Sequence, residues 1–299
     1  AGEVVIAVAA AGVNRADILM RSGRYHSPPP LPFVPGAEGS GSVVSVGAGV
    51  SGFAVGDRVL AMGGRPGFYA ERVAVKESRL VRVPDGVDLL QAATMPVAWL
   101  SAWYCLRRLA DLKADEQVLI FAAASGVGSA ALQIARDVGA RVIATAGSAD
   151  KVKWALDAGA EEAIDHEASD VAAEVSRLTG GRGVEVVLDT VGGEAFGVAL
   201  RAAGHGGRVV NLANVATAAS TVDTRDFYPK NVTIFGFQIT NLMGQLGYDP
   251  RPDLAELVAG LADGRFSVPI EAALALEDAP AAHRLLEGRH NRGKVVLTP

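Results

Sequence analysis

A run of small residues at positions 121–130, FAAASGVGSA, has the composition of a phosphate-binding turn between a strand and a helix. Small residues let the backbone approach a pyrophosphate, and the N–H groups at a helix N-terminus attract an anion. Compared with G-x-G-x-x-G ending at Gly128, Ala123 and Ser125 replace the first two glycines, and Gly126 supplies one a place later. A tight turn without a ligand would fit too, but the position at the first turn of a strand-helix series favours a dinucleotide. The residues of this turn predicted to contact the cofactor are Ala124, Ser125, Gly126, Val127 and Gly128.

The strand after this turn indicates which dinucleotide binds. NAD sites place an acid about 20 residues after the glycines, where it holds the ribose 2′-hydroxyl. Here Gly147 and Ser148 follow the strand ARVIATA, and Lys151 lies on the first turn of the next predicted helix. A hydroxyl and a cation suit a 2′-phosphate, which a carboxylate would repel. Asp150 could reach a ribose, but a helix N-terminal acid is expected to cap the helix and face solvent. The pattern predicts NADPH, with a solvated surface role for Lys151 as the alternative.

Composition excludes several classes of function. The 299 residues suggest about two domains, and 49% hydrophobic residues are enough for substantial cores. A net charge of -5 without a basic run argues against nucleic acid as a partner, and the short apolar segments argue against a membrane span. Cys105 is the one cysteine, which excludes intramolecular disulfides and a multi-cysteine zinc lobe. We expect Cys105 to be a buried core residue and the protein to be cytoplasmic.

The elements that must position these residues follow from the hydrophobic pattern. The first ~95 residues contain β-branched runs separated by turn residues, an all-β pattern. After the helical run QAATMPVAWLSAWYCLRRLADL, strands alternate with helices to about residue 265, which predicts a parallel sheet covered on both faces. The remaining tail ends in a strand, KVVL, that the pattern alone assigns to neither region. Because the sequence begins inside a predicted strand, we expect further strand upstream.

With these residues in place, the chain resembles the medium-chain dehydrogenase/reductase superfamily and, within it, the zinc-free quinone oxidoreductase branch, which is zeta-crystallin-like. The matching segments run nearly end to end: AAGVNRADILMRSGRY, PGAEGSGSVVSVGAGV, GDRVLAM, ATMPVAWLSAWYCL, AAASGVGSAALQIAR, GGRGVEVVLDTVGG, KNVTIFGF and RGKVVL. The resemblance implies an α/β protein with a GroES-like, β-rich domain from residues 1–97 and 266–299, since the tail rejoins that domain. It implies a Rossmann-type, doubly wound NADP-binding domain from residues 98–265, with the cofactor in a cleft between the two.

The resemblance also bears on zinc. Zinc-dependent relatives carry Cys in the GVNRADI segment and a His-Glu pair where this chain has Ala37 and Glu38. With Asn14 in the GVNRADI segment, Glu38 is the single candidate ligand, so a catalytic zinc is not expected. Without a metal, the acceptor must itself be electrophilic, as quinones and conjugated enones are. We therefore expect hydride transfer from NADPH to a quinone-like acceptor.

Further site residues come from the same matching. Asn14 and Tyr25 match positions that line the cleft and could hydrogen-bond a substrate oxygen. Asp17 matches as well, although a structural role beside Arg15 or the backbone fits equally. Positions expected to line the cofactor are Ser101, His166, Asn214, Phe237 and Asn291, of which His166 replaces a tyrosine often found there. The other histidines lack metal-ligand spacing and are expected in loops or on the surface: His26, His205, His283 and His290.

Three functions stay open on the sequence alone. The first is NADPH-dependent reduction of a quinone. The second is reduction of conjugated alkenals or enones with the same hydride, including the case of an enoyl-reductase module from a larger synthase. The third is an NADPH-binding protein with a structural or stress role and little turnover. The resemblance further implies a homodimer formed through the edge strand near NVTIFGF.

Overall fold

A computed structural model describes residues 1–62, 67–215 and 217–299 of the chain. Its strands, in chain order, are β1 (Glu3–Val13), β2 (Glu38–Val46), β3 (Arg58–Met62), β4 (Arg72–Lys76), β5 (Leu80–Arg82), β6 (Gln117–Ile120), β7 (Arg141–Ala146), β8 (Glu162–Asp165), β9 (Val184–Asp189), β10 (Ala203–Asn211), β11 (Thr233–Gly236), β12 (Ile270–Ala275) and β13 (Lys294–Thr298). Its α-helices are α1 (Arg15–Arg21), α2 (Leu89–Ala92), α3 (Leu100–Trp103), α4 (Gly126–Val138), α5 (Ala149–Asp157), α6 (Val171–Leu178), α7 (Glu194–Ala202), α8 (Ile239–Gln245), α9 (Arg251–Ala262) and α10 (Ala279–Glu287). Two π-helical stretches, Met95–Trp99 and Tyr104–Leu109, flank α3.

The chain divides into two compact units. The first unit consists of Ala1–Leu100 and Asp249–Pro299, and the second of Ser101–Tyr248. The second boundary lies well before the predicted one at 265/266, because α9 packs against β5 and the Met95–Trp99 stretch, which belong to the first unit. Strand-helix alternation could not reveal this, since α9 directly follows an α/β series in the sequence. The first boundary, inside the helical run, lies close to the predicted 97/98.

The first unit is built on one β-sheet. The strand order is β12-β13-β1-β2-β3-β5, and β4 pairs with the N-terminal half of β1. The last strand of the chain, β13, lies antiparallel to the end of β1, with Val13 opposite Val295. On the other side of β1, Gly12 lies opposite Glu38, the first residue of β2. The start of β13, the end of β1 and the start of β2 therefore lie side by side in the sheet.

The second unit is a parallel sheet covered by helices. Its strand order is β11-β10-β9-β6-β7-β8, with every pairing parallel. The central strands β6 and β9 are almost fully buried, as expected for a sheet covered on both faces. Counted along the chain, this is the doubly wound order 3-2-1-4-5-6, whose direction switches between β6 and β9. The predicted fold class is thereby confirmed.

Two sequence expectations concern Cys105 and membrane-spanning helices. Cys105 is fully buried, as predicted, and burial raises the pKa of its thiol well above the ordinary value. None of the helices within the described ranges combines the length and the apolar character needed to cross a bilayer.

Candidate active site

The 121–130 turn joins β6 to α4 at the switch point of the parallel sheet. Ser125 is the N-cap of α4, and its Oγ accepts a hydrogen bond of 3.0 Å from the backbone N–H of Gly128. The backbone N–H of Ser125 donates to the carbonyl of Ala122 at 2.8 Å, which closes the turn. Ala122 has a φ of 49°, a left-handed conformation that costs energy for a residue with a Cβ. The strained position is thus Ala122, whereas Gly126, predicted to supply freedom, is an ordinary first helical residue.

Close packing of α4 on β6 depends on Gly128. A Cβ on this residue would lie 2.3 Å from the carbonyl oxygen of Ala122 and 2.7 Å from the Cα of Ala123. The turn is also tied to the neighbouring strand β7, because Thr145 accepts from the N–H of Ala122 through Oγ1 at 3.2 Å and from the N–H of Ala123 through its carbonyl at 3.0 Å. The backbone of the turn is therefore held rigidly from two sides.

The start of α4 has amide groups available for an anion. The N–H of Gly128 is used by the Ser125 side chain, and that of Ser129 bonds to the Ser125 carbonyl at 2.8 Å. Within the described parts of the chain, the N–H groups of Gly126 and Val127 have no acceptor. Together with the helix dipole, these two donors form the kind of site that binds a phosphate.

A second group of predicted residues lies together after β7. Ser148 is the N-cap of α5, and its Oγ accepts from the N–H of Lys151 at 3.4 Å. The expectation that Asp150 caps this helix is therefore wrong: Asp150 lies in the first turn, behind the serine. Gly147 leaves room for His166, since a Cβ there would be 3.0 Å from the His166 Cε1 atom. The structure thus brings Gly147, Ser148 and His166 together, with Lys151 on the first turn of α5.

The other predicted cofactor residues of this unit are more scattered. Ser101 is buried in α3, and Phe237 stacks on Tyr104 with ring centroids 5.5 Å apart. Asn214 donates from Nδ2 to the carbonyl of Ala218 at 2.9 Å. A cavity of about 200 Å³ adjoins Asn214 at the carboxyl ends of β9 and β10. Its lining residues are Gly192, Gly193, Phe196, Asn211, Ala213, Asn214 and Ser220. Sequence reasoning missed this cavity, whose walls come from the loop after β9, from α7, and from the end of β10 with the loop that follows it.

In the first unit, Asn14 belongs to a buried polar cluster. Its Nδ2 donates to Glu38 Oε1 at 2.8 Å, and its Oδ1 accepts from Lys294 Nζ at 2.7 Å. Lys294 Nζ also forms an ion pair with Glu38 Oε1 at 2.8 Å and donates to the carbonyl of Val13 at 3.1 Å. The second carboxylate oxygen, Glu38 Oε2, accepts from the N–H of Val97 at 2.6 Å. We call Asn14, Glu38 and Lys294 the Lys294 cluster; none of its side chains is more than 9% exposed.

Asp17, in the first turn of α1, is fully buried. Its Oδ2 accepts from the backbone N–H of Asn14 at 2.9 Å, and its Oδ1 from that of Gly36 at 3.3 Å. Burial raises the pKa of Asp17 to about 6, against the lowering effect of these backbone bonds and of the Lys294 charge. With no exposed surface, Asp17 holds the backbone around Asn14, so the backbone role fits its position and direct substrate contact does not.

A series of side-chain hydrogen bonds runs from Asp17 through Tyr69 to His283 on α10 and Arg21 on α1. Arg21 donates to His283 Nδ1 at 2.9 Å, so that His283 Nε2 carries the proton and donates to the Tyr69 hydroxyl at 3.2 Å. The Tyr69 hydroxyl then donates to Asp17 Oδ2 at 3.4 Å. Burial raises the pKa of Tyr69 and lowers that of His283. The prediction of a loop or surface position is wrong for His283, which is 3% exposed on α10.

The remaining predicted residues of the first unit lie in loops. Tyr25 follows α1, is half-buried, and packs on His26 with ring centroids 4.2 Å apart. Asn291 precedes β13, and its Nδ2 donates to the carbonyl of Gly293 at 2.9 Å. Asn291 is thus three residues from Lys294, while Tyr25 belongs to a separate loop.

Comparison with known proteins gives two family-model matches. Residues 1–85 match the model described as alcohol dehydrogenase GroES-like domain, and residues 126–259 match the model described as zinc-binding dehydrogenase. Among curated proteins, the quinone oxidoreductase of Salmonella typhimurium is 34% identical over 99% of this chain and 91% of its own length. One component protein of the phenolphthiocerol/phthiocerol polyketide synthase of Mycobacterium tuberculosis is also 34% identical over 99% of this chain, which there corresponds to 13% of the relative.

Solved structures give the same picture. The crystal structure of Escherichia coli quinone oxidoreductase complexed with NADPH superimposes with a TM-score of 0.92 at 31% sequence identity. The likeness covers 100% of this chain and 92% of the other.

The description of the second family model raises the question of zinc, and the donor set does not fit that metal. Glu38 is the only carboxylate of the Lys294 cluster, and both of its oxygens already have partners. The ammonium group of Lys294 lies within hydrogen-bonding distance of the same oxygens that a cation would need. Elsewhere in the described ranges, no group of three or more His, Cys, Asp or Glu side chains could hold a metal ion.

Proposed function

Because the chain belongs to the zinc-free quinone oxidoreductase branch of the medium-chain dehydrogenase/reductase superfamily, we propose that it catalyses the reaction of that branch, NADPH-dependent reduction of a small quinone-like molecule. The two units of the chain have separate roles in this reaction. The whole-length likeness to an NADPH-bound quinone oxidoreductase carries this conclusion. The cofactor is NADPH, which when bound supplies the hydride.

The second unit holds the cofactor in this proposal. The N–H groups of Gly126 and Val127 bind the pyrophosphate at the start of α4, and the Ser125 hydroxyl can still donate because its oxygen only accepts from Gly128. Ser148, Lys151 and His166 bind the 2′-phosphate around Gly147. Glu167 is a carboxylate beside this group, 3.5 Å from His166 Nε2, so Lys151 must carry most of the favourable charge. Ser101, Asn214 and Phe237 complete the predicted set in this unit, and Asn291 is the one predicted cofactor residue from the first unit.

The first unit orients the acceptor in this proposal. Asn14 and Tyr25 offer hydrogen-bonding groups for a quinone oxygen, and holding that oxygen places the ring for hydride transfer. Asp17 acts indirectly, by fixing the backbone N–H of Asn14. No metal takes part, and the electrophilic character of the quinone replaces the polarisation that a metal would supply.

Reduction of an enone is the second candidate. It is favoured by the similarity to the polyketide synthase protein, which covers 99% of this chain. The same hydride would go to a conjugated carbon instead of a quinone, and Asn14 and Tyr25 would hold the carbonyl oxygen.

A homodimer through β11 accompanies the proposal. This strand is at the edge of the parallel sheet, and Thr233, Ile234 and Gly236 on it are exposed, with Ile234 at 41%. An exposed edge strand with an apolar residue is a template for pairing with a second copy. Ile234→Lys should therefore shift the protein from dimer to monomer in sedimentation. A cytoplasmic location also belongs to the proposal, in line with the single, buried cysteine.

One assay tests the function. Oxidation of NADPH and of NADH is followed with a panel of quinones and enones, with and without a metal chelator. We expect faster turnover with NADPH, a preference for quinones, and no effect of the chelator. A preference for enones would favour the second candidate. Binding of NADPH without turnover on any acceptor would contradict both, and loss of activity with chelator would contradict the zinc-free chemistry.

A further inference from the structure

The Lys294 cluster is a closed set of hydrogen bonds. The three protons of the Lys294 ammonium have three acceptors, namely the Val13 carbonyl, Asn14 Oδ1 and Glu38 Oε1. Glu38 Oε1 also accepts from Asn14, and its Oε2 from the N–H of Val97. The side chains of Lys294 and Glu38 are 3% and 0% exposed, so water cannot replace these bonds.

Stability alone does not account for such a cluster. A buried ion pair gains little over well-packed apolar residues of the same volume, because desolvation offsets the attraction. Charged partners do, however, favour one orientation of a polar side chain that lies between them. In the Lys294 cluster, the group between the two charges is the side-chain amide of Asn14.

The two charges permit one orientation of that amide. Lys294 can only donate and an ionised Glu38 can only accept. The Asn14 oxygen must therefore face Lys294 and its NH₂ must face Glu38, as observed. A flipped amide would place NH₂ against the ammonium and the oxygen against the carboxylate, which breaks both bonds. The second Nδ2 proton has only a long contact of 3.4 Å, to the carbonyl of Gly12.

We propose that Lys294 is a positioning residue of the active site: held as an internal cation by Glu38, it locks the orientation of the Asn14 amide that binds the acceptor. The proposal rests on the role of Asn14 proposed above. The Lys294 ammonium occupies the position that a bound cation would take among the oxygens of Val13, Asn14 and Glu38. The last strand of the chain thereby acts on a loop 280 residues earlier in the sequence.

The main test removes the cation while keeping the bulk of the side chain. Lys294→Met leaves Glu38 buried without its partner, so we also use the pair Glu38→Gln with Lys294→Met, which leaves no unpaired charge and is expected to fold. Lys113→Met is the matched control, because Lys113 pairs with Asp111 on the surface at 2.6 Å. The measurements are kcat and KM for a quinone, the NADPH dissociation constant, and the melting temperature.

We expect both Lys294 variants to lower kcat about tenfold or more, because a misplaced substrate reacts more slowly. The affinity for NADPH should not change. A third variant, Lys294→Ala, removes the bulk as well as the charge, and methylammonium or ethylammonium should restore part of its activity by filling the oxygen cage. The Lys113→Met control should behave like the wild type. A lower melting temperature with unchanged kcat and KM in both variants, and no rescue, would leave Lys294 with a purely structural role and overturn the proposal.

A second readout does not depend on turnover. In the ¹⁵N-labelled wild type, the side-chain amide protons of Asn14 should exchange slowly with solvent, and in the double variant they should exchange rapidly. If the wild type turns over no acceptor, the proposed function fails, yet this exchange still decides whether Lys294 holds Asn14. Equal protection in both proteins would show that the amide is held without Lys294, against the proposal.

Discussion

The 121–130 turn and the Lys294 cluster are both rigid polar sites, but they are built in opposite ways. The turn uses backbone N–H groups and the absence of a Cβ at Gly128, all within one continuous segment. The Lys294 cluster uses two charged side chains and one side-chain amide from three segments that are 24 to 280 residues apart. A site that must admit a large anion is made of small residues, because only they let a ligand reach the backbone. A site that must fix one side chain is made of enclosed charges.

This difference makes the two sites separable by mutation. Changes in the turn should alter the affinity for NADPH and leave the acceptor side unaffected. Changes in the cluster should alter turnover of the acceptor and leave NADPH binding unaffected. A variant that changes both properties together would break the comparison.

The largest effect is expected from Gly128→Ala. The new Cβ would lie 2.3 Å from the carbonyl oxygen of Ala122, and that backbone is held by Thr145, so it cannot move away cheaply. We expect a loss of about 3 kcal/mol in the free energy of unfolding, with much weaker NADPH binding. Denaturant unfolding and cofactor titration measure both. Gly244→Ala on α8 is the control, because nothing lies within 4 Å of its new methyl group; wild-type behaviour of Gly128→Ala would contradict the close packing.

Asp17→Asn should change the free energy of unfolding by a comparable amount, and this change should appear in its dependence on pH. The pKa of Asp17 is raised from 3.8 to about 6, so between these values the folded protein binds more protons than the unfolded chain. The wild type should therefore gain stability relative to the variant as the pH falls from about 7 to 4, by up to about 3 kcal/mol. Denaturant unfolding at each pH gives the two curves. His283, whose pKa is lowered, has the opposite slope in both proteins and cancels in their difference; parallel curves would contradict the prediction.

A smaller effect is expected from Gly12→Ala beside the Lys294 cluster. The new Cβ would lie 2.3 Å from Glu38 Oε1, an atom held by both Asn14 and Lys294. We expect a loss of about 2 kcal/mol in the free energy of unfolding and a lower kcat, with unchanged NADPH affinity. In a Glu38→Asp background the shorter side chain leaves room, so the same substitution should cost less. Equal costs in the two backgrounds would show that Glu38 is not the obstacle.

The same contrast explains what could be predicted from the sequence. The 121–130 turn was predictable because its residues are contiguous and their small size is itself the signal. The strain at Ala122 was not, since an alanine gives no sign of a left-handed φ. Lys294 looked like the start of a strand, RGKVVL, and only the antiparallel pairing of β13 with β1 brings it to Asn14. His283 was misplaced because α10 lies in a tail whose pattern indicated no helix.

The smallest effect, and the most specific, is expected from Lys151→Ala. Lys151 lies on the first turn of α5 beside Ser148, and no acid stands at the end of β7 to hold a ribose hydroxyl. Loss of one cation at a 2′-phosphate should weaken NADPH binding about tenfold, or about 1.4 kcal/mol, and should hardly change NADH binding. Fluorescence titration with each cofactor measures the ratio. Lys153→Ala is the matched control, two residues along the same helix, where Lys153 pairs with Asp157 in solvent. If both cofactors weaken equally, or if Lys153→Ala has the same effect, Lys151 is a surface lysine, and the discrimination between dinucleotides must come from Ser148, His166 and the backbone.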